Sequence, residues 1–311
     1  MVLDCDPGLD DALALMLALG DPEISLRAVT TVSGNVDVDS TTRNALALRE
    51  FLGFPHLVVA RGASSPLKRP PVYVPHLHGE QGIGAVRLPE PTLPASDRTA
   101  PDLLVELIGS SPGEIHLVAT GPLTNIALAL DLDPGLPGRV ASFTIMGGSF
   151  TRGNVTPAAE FNAFVDPEAA RTVFAAGWQT TMVGLDLTAQ ARAGADVLRR
   201  MAALGPLGRD VLVPLATYLA AHDGVDRGGQ ILHDLCAVAY AARPDLFTTR
   251  AARVNVETAG EFTSGMTVVD FKSPGPNALV PVTLDVEGFW DYVVHSYGLL
   301  AGRLATSHRH S

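Results

Sequence analysis

Four aspartates, Asp4, Asp6, Asp10 and Asp11, stand within eight residues in the segment Asp4-Cys5-Asp6-Pro7-Gly8-Leu9-Asp10-Asp11. Carboxylates this close repel one another, and each resists ionising beside the others. A bound cation removes that cost. Hard divalent cations take several carboxylate and carbonyl oxygens, and Ca2+ is the ion this loop suits best. Gly8 permits a tight turn. Asp10 and Asp11 would open a helix, whose amino end favours acidic side chains. One or two aspartates here would read as helix caps and a solvated turn. Four of them, between an apolar strand and an apolar helix, read as a cation site.

One enzyme chemistry begins with strand-Asp-x-Asp. In a haloacid-dehalogenase-type phosphatase the first aspartate is a nucleophile. That chemistry needs a lysine to stabilise the phosphoryl group. The chain offers only Lys68, in a Pro-rich stretch, and Lys272, near a late strand. A non-catalytic Ca2+- or ribose-binding protein is the third reading of the same loop.

The surrounding pattern alternates short apolar strands with helical stretches. Val2-Leu3 leads into the acidic loop, and 10–19 reads as a helix apolar nearly all round, hence buried. Further strands are expected at 26–32, 57–60, 115–119, 143–146 and 180–183, near Val254, and at 266–271. Helices are expected over 41–52, ended by Gly53, and over 102–108 and 121–132. Asp166-Pro167 supplies an N-cap and a first-turn proline for a helix to Ala176. The stretch 195–221 is helical but broken at Gly205-Pro206, 231–242 is a helix, and the last helix covers 289–304. The Pro- and Gly-rich stretch 62–99 is long for a plain connection, and such loops are usually functional. Alternating strands and helices imply an α/β fold with a mostly parallel sheet and helices on both faces. Ligands in such sheets sit beyond the carboxyl ends of the strands. The loops at 4–11, 33–39, 120–121 and 147–166, and the one from 186 onward, collect polar residues at that edge. One domain over 1–305 is expected, with a loose tail at 306–311.

The bulk numbers narrow the partners. The chain has 311 residues, 47% of them hydrophobic, enough for a large core. A net charge of -11 would repel a phosphate backbone, so nucleic acid is not an expected partner. Two cysteines, Cys5 and Cys236, make no disulfide framework and suit a reducing compartment. The longest apolar run, 12–19, is far too short to span a bilayer. With no basic leader or apolar signal segment read at the start, the expectation is a cytoplasmic protein with no membrane partner.

Several blocks together resemble the inosine-uridine-preferring nucleoside hydrolases. Asp4-Cys5-Asp6-Pro7-Gly8-Leu9-Asp10-Asp11-Ala12 is similar to the opening motif of that family. Thr31-Val32-Ser33-Gly34-Asn35-Val36 resembles its second motif, and His78-Gly79 followed by Gly82 its flexible loop. Thr120-Gly121-Pro122-Leu123-Thr124-Asn125 and Met146-Gly147-Gly148 resemble later blocks. The segment Gly153-Asn154-Val155-Thr156-Pro157-Ala158-Ala159-Glu160-Phe161-Asn162 is close to the family's ribose-binding segment, and His233-Asp234 completes the set. The blocks run in order along essentially the whole chain.

The resemblance implies a nucleoside hydrolase type of fold, a mostly parallel Rossmann-like sheet. It implies hydrolysis of the N-glycosidic bond of ribonucleosides to free base and ribose, with one bound Ca2+, in a homodimer or homotetramer. Carried over by position, Asp6, Asp11, Asp234 and the Thr120 carbonyl would hold Ca2+. Asp6 would also be the general base for the attacking water. Asp10, Asn35 and Asn162 would bind ribose hydroxyls, and Asn154 and Glu160 the 5'-hydroxyl. Met146 and Phe161 would line the pocket, and His78 would lie on a loop closing over the base. His233 would be the leaving-group acid. Leu235 stands where many relatives have proline after the His-Asp pair. Tyr218 and the stretch 222–230 are candidates for the family's second mobile loop, and His76 and His222 could reach the base. His56, His116 and His295 read as structural or exposed, and His308 and His310 as tail residues.

These residue types match what the reaction requires. Positive charge develops on the sugar as the bond to the base stretches. The site must therefore supply an activated water, oxygen dipoles near the sugar and a proton for the base. A non-catalytic cation-binding protein would have no reason to keep Asn35, Asn154, Glu160, Asn162 and His233.

Overall fold

The computed structural model describes residues 1–223 and 228–307. Strand β1 (Val2–Cys5) is buried at every residue, as a central parallel strand covered on both faces must be. It leads into helix α1 (Leu9–Gly20), of which only Asp10 is even partly exposed. There follow β2 (Ala28–Thr31), α2 (Val38–Phe51), β3 (Val58–Arg61), the single turn α3 (Pro75–His78) and α4 (Ala100–Ser110). Next come β4 (His116–Ala119), α5 (Thr124–Leu132), β5 (Ser142–Met146), the short α6 (Phe161–Val165), α7 (Pro167–Ala175), β6 (Thr180–Val183) and α8 (Leu185–Thr188). The chain continues through β7 (Arg192–Ala193), α9 (Ala195–Ala202), α10 (Val213–Asp223), β8 (Gln230–Ile231) and α11 (His233–Ala242). It ends with β9 (Phe247–Val256), β10 (Thr267–Asp270), β11 (Ala278–Leu284) and α12 (Val286–Ser307).

Nine strands form one sheet in the order β10-β9-β11-β6-β5-β4-β1-β2-β3. From β11 to β3 every pairing is parallel, and β9 is antiparallel to β10 and β11. The expected mostly parallel α/β sheet is what forms, and its centre has the Rossmann order 3-2-1-4-5-6. In that order the chain reverses direction across the sheet between β1 and β4, and a crevice opens beyond their carboxyl ends.

Strand side chains alternate between two cores. Leu3 and Cys5 face α1, α10, α11 and α12, while Val2 faces α4, α5 and α7. Helix α1 is thus wrapped by other helices, and Tyr297 of α12 donates its hydroxyl to the Leu13 carbonyl at 2.9 Å. Asp166 caps α7 as expected, accepting from Ala169 N at 3.0 Å.

Some elements depart from the sequence expectation. Strand β11 went unread because Pro281 interrupts its apolar run; the pairing with β9 shifts register between Pro281 and Thr283, which accommodates the proline. The helix expected over 121–132 starts only at Thr124, since Gly121-Pro122 remains in the turn. After the break at Gly205-Pro206 the helix resumes through a π-helical turn, Gly208–Leu212. A Cβ on Gly208 would lie 1.9 Å from the Met201 carbonyl oxygen, so only glycine fits there. The ribbon β7-β8 was not foreseen. Of the loop expected over 222–230, His222 belongs to α10, Gln230 to β8, and 224–227 lie outside the described residues, as do His308 and His310. Among the described residues no helix is long and apolar enough to cross a membrane.

Because α1 is enclosed, truncating it leaves a cavity that its neighbours cannot fill. Leu17→Ala should lower the free energy of unfolding by about 3 kcal/mol in urea titrations. A loss below about 1 kcal/mol would mean that α1 is not the enclosed core helix described.

Candidate active site

The loop after β1 turns the acidic residues into the crevice between β1 and β4. Asp11, in the first turn of α1, reaches back to the loop. It accepts from Gly8 N at 3.0 Å and Asp6 N at 3.3 Å. The Thr120 hydroxyl donates to it at 2.8 Å and the Asn35 amide at 3.1 Å. Asn35 also donates its backbone N–H to Asp6 Oδ2 at 2.6 Å. Close packing on Asp6 explains two glycines, and packing on His78 and Asn35 a third. A Cβ on Gly34 would sit 2.1 Å from Asp6 Oδ2, and one on Gly121 2.7 Å from Asp6 Oδ1. One on Gly8 would meet His78 Nδ1 at 2.5 Å.

Helix α11 packs against α1 and brings Asp234 from far along the chain. Oxygens of Asp10, Asp11 and Asp234 lie within 4.8 Å of one another. Asp6 faces the same cleft but is not part of that closest trio. No lysine or arginine lines the pocket among the described residues. Burial, then the charge of Asp11, drives the Asp6 carboxyl well above the usual range. Burial does the same to Asp234, reinforced by Asp10, Asp11 and Asp6. Asp11 is raised to about 6 by burial and by Asp10. This is a buried set of hard oxygen donors without a protein counter-charge, the environment a divalent cation fits.

The opposite wall is the 147–166 loop. Glu160 caps α6, accepting from Asn162 N at 2.9 Å and Ala163 N at 3.1 Å, and also from Gly148 N at 2.9 Å. Burial raises its carboxyl while those amides pull it down. Asn162 donates to the Thr120 carbonyl at 2.7 Å and the Met146 carbonyl at 3.1 Å. Asn154 Oδ1 accepts from Phe161 N at 3.0 Å.

Two histidines close the pocket. His78, on α3, accepts the Leu9 N–H at Nδ1, 3.2 Å away. His233 opens α11, with its backbone N–H on Asp10 Oδ2 at 3.2 Å and its Nδ1 2.7 Å from the Thr188 hydroxyl. Burial lowers the pKa of both rings, and the charge of Asp10 opposes the shift in each.

The structure brings Asp6, Asp10, Asn35, His78, Thr120, Met146, Asn154, Glu160, Phe161, Asn162, His233 and Asp234 around one cavity of about 180 Å³. Asp11 lies directly beneath it. Asp4 lies behind, where its Oδ1 accepts from Thr30 at 2.5 Å and Asn125 at 2.7 Å. His76 is exposed and outside the lining. Lys68 and Lys272 are likewise exposed and absent from it, so nothing favours the phosphatase reading. Sequence reasoning missed Val74, Leu77 and Ile231, which also line the cavity, and included Val155 and Gln230 only as parts of the 153–162 block and the 222–230 stretch. They sit on irregular segments, on the single turn α3 or on the two-residue β8 and carry no periodic or charge signal. Asn125 could have been singled out as an amide opening an otherwise apolar helix.

A carboxylate-walled pocket at the reversal point of a parallel sheet, rimmed by amides that can bind hydroxyls, belongs to a hydrolase of the glycosidase class. Comparison with known proteins agrees. The sequence profile of the family described as "Inosine-uridine preferring nucleoside hydrolase" matches residues 1–291. A pyrimidine-specific ribonucleoside hydrolase, RihA, of Enterobacter sp. (strain 638) is 45% identical, over 98% of this chain and 97% of its own. An inosine-uridine preferring nucleoside hydrolase of Crithidia fasciculata is 42% identical, over 94% of this chain and 96% of its own. Among solved structures, a purine-preferring ribonucleoside hydrolase from Gardnerella vaginalis superposes with a TM-score of 0.91 at 33% identity, over 96% of this chain and 98% of that one. The chain belongs to the inosine-uridine preferring nucleoside hydrolase family, enzymes that cleave the N-glycosidic bond of ribonucleosides.

The glycine packing around Asp6 is testable. Gly34→Ala must push the Asp6 carboxylate aside and should lower kcat/KM at least about 100-fold. Gly53→Ala, at φ +76° with open space around it, should reduce stability through backbone strain alone and leave kcat/KM unchanged. Equal effects of the two on turnover would refute the packing role.

Proposed function

We propose that the enzyme is a Ca2+-dependent ribonucleoside hydrolase whose attacking water is deprotonated by Asp6. The observation that supports this most strongly is the grouping of Asp10, Asp11 and Asp234 beside Asp6, with no cationic side chain among the described residues lining the cavity. In this reading Asp6, Asp11, Asp234 and the Thr120 carbonyl hold the ion. Asp10 is the only partly exposed member of the close trio, which suits it to ribose hydroxyls instead. Ca2+, when bound, supplies Lewis acidity that eases deprotonation of a water.

The remaining roles belong to the chain's own groups. Asp6 accepts the proton of the water as it attacks the anomeric carbon. Asn35 and Asn162 join Asp10 on the ribose, and Asn154 and Glu160 take the 5'-hydroxyl. Their oxygen dipoles favour an oxocarbenium-like ribosyl transition state. Buried polar groups that lose a hydroxyl partner discriminate strongly, so ribose is preferred to deoxyribose. Met146 and Phe161 wall the cavity, His78 covers the base and His233 protonates it. One relative is named pyrimidine-specific and another inosine-uridine preferring. Uridine satisfies both descriptions, and we assign it as a substrate. The same reading takes 1–305 as one catalytic domain of a homodimer or homotetramer. The two buried free cysteines suit a cytoplasmic setting.

An initial-rate panel of uridine, inosine, cytidine, adenosine and guanosine, scored for free base and reducing sugar, tests the function. Uridine should be cleaved, and Asp6→Ala should lower kcat about 1000-fold while the far-UV spectrum is unchanged. No cleavage of uridine, or full activity in Asp6→Ala, would overturn the proposal.

A further inference from the structure

His233 has two ring nitrogens and only one of them can serve the substrate. Nδ1 lies 2.7 Å from Thr188 Oγ1, a normal hydrogen-bond length. Thr188 is fully buried, and the other hydrogen-bond partner of its hydroxyl among the described residues is the Leu185 carbonyl at 3.4 Å. Nδ1 is therefore committed to the protein, which leaves Nε2 for the cavity that His233 lines. The nitrogen that carries a proton is set by the hydrogen bond the other one makes.

We propose that Thr188 is a positioning residue that fixes the His233 ring so that Nε2 presents a proton to the departing base. The proposal rests on the reading of His233 as the leaving-group acid. As the C1'–N bond breaks, its electron pair goes to the base and Nε2 gives the base its proton. The imidazole is left neutral, with its remaining proton on Nδ1 and that N–H donated to Thr188 Oγ1. The ring carries protons on both nitrogens before the transfer, and the Thr188 hydroxyl donates to the Leu185 carbonyl at 3.4 Å before and after it, so the buried hydroxyl keeps a partner throughout.

The fold holds this pair in place from both sides. Helix α8 follows β6 directly, anchored by Leu185 N on the Gly148 carbonyl at 2.9 Å. Just beyond it, β7 pairs with β8, matching Arg192 with Ile231 and Ala193 with Gln230. Leu232 N then donates to the Ala191 carbonyl at 3.3 Å. The residue before His233 is thus tied to the segment that leaves Thr188. Gly229 is needed for that approach, since a Cβ there would meet the Ala193 carbonyl oxygen at 2.3 Å. This gives the ribbon a purpose, to register Thr188 against His233.

The test compares uridine, whose base must be protonated, with p-nitrophenyl riboside, whose leaving group needs no acid. Thr188→Val keeps the shape and removes the hydroxyl; Thr188→Ala serves if the valine does not fold. The ratio of kcat/KM for uridine to that for the aryl riboside should fall about tenfold or more in either variant, and Thr188→Ser should restore it. An unchanged ratio, or a serine variant no better than valine, overturns the proposal. His233→Ala in the same assay separates the two levels. If it too leaves the ratio unchanged, His233 is not the acid and both readings fall. If it collapses the ratio while Thr188→Val does not, only the role of Thr188 fails.

Discussion

The structure is organised around the repulsion among buried carboxylates at a single crevice. Two unit charges about 5 Å apart at an effective dielectric near 20 repel by on the order of 3 kcal/mol. Three such groups, with Asp6 beside them, would approach the whole stability of an ordinary domain if all were ionised without compensation. Burial makes ionisation harder still, as the upward shifts of Asp6, Asp11 and Asp234 record. Among the described residues no lysine or arginine stands at the pocket to relieve this. What it does supply is donors that fix the oxygens in place, from Gly8, Asn35 and Thr120. The result is a held set of oxygens compatible with a metal ion.

Much of the remaining architecture is explained by the need to hold these groups together. The strand order puts the ends of β1 and β4 side by side, so Asp6 and Thr120 meet although 114 positions separate them in the chain. The enclosed α1 carries Asp10 and Asp11, and its packing with α11 delivers Asp234. Behind the site a second polar knot keeps β1 in register. Asn125 donates to Asp4 Oδ1 and to the Thr31 carbonyl, and accepts from Ala63 N at 2.9 Å. Among the described residues Asp4 Oδ2 has no hydrogen-bond partner, and burial raises the Asp4 carboxyl to about 7. Asp4 therefore braces the end of β1 from behind the site through Thr30 and Asn125.

Legibility in the sequence followed the physics of each element. The buried strands were readable as short apolar runs, and α1 as a helix apolar on every side. The four aspartates announced a cation site because charge density at that spacing has few other uses. Asp234 carries no such local sign; only its place beside His233 in a family block pointed to it. Charge and spacing also could not say which carboxylates face one another, and the structure sets Asp10 with Asp11 and Asp234. Strand β11 was hidden by Pro281, since the bulge that tolerates it exists only in the folded sheet. Thr188 was invisible because its significance is a distance to His233 across 45 residues.

The most direct measurement of the central claim is the melting temperature of chelator-stripped enzyme from pH 4.5 to 8, with and without added Ca2+. Carboxyls whose pKa is raised on folding stabilise the folded state below their unfolded value, near 3.8, and lose that contribution as pH rises through the folded value. For Asp11 and Asp4 those folded values are about 6 and about 7. The stripped enzyme should therefore lose stability from pH 4.5 to about 7. Ca2+ should restore it by an increment that grows over the same window, reaching about 2.7 kcal/mol at a hundredfold excess over Kd. A stripped enzyme as stable at pH 7 as at pH 4.5, with no Ca2+ increment at pH 7, would contradict the account.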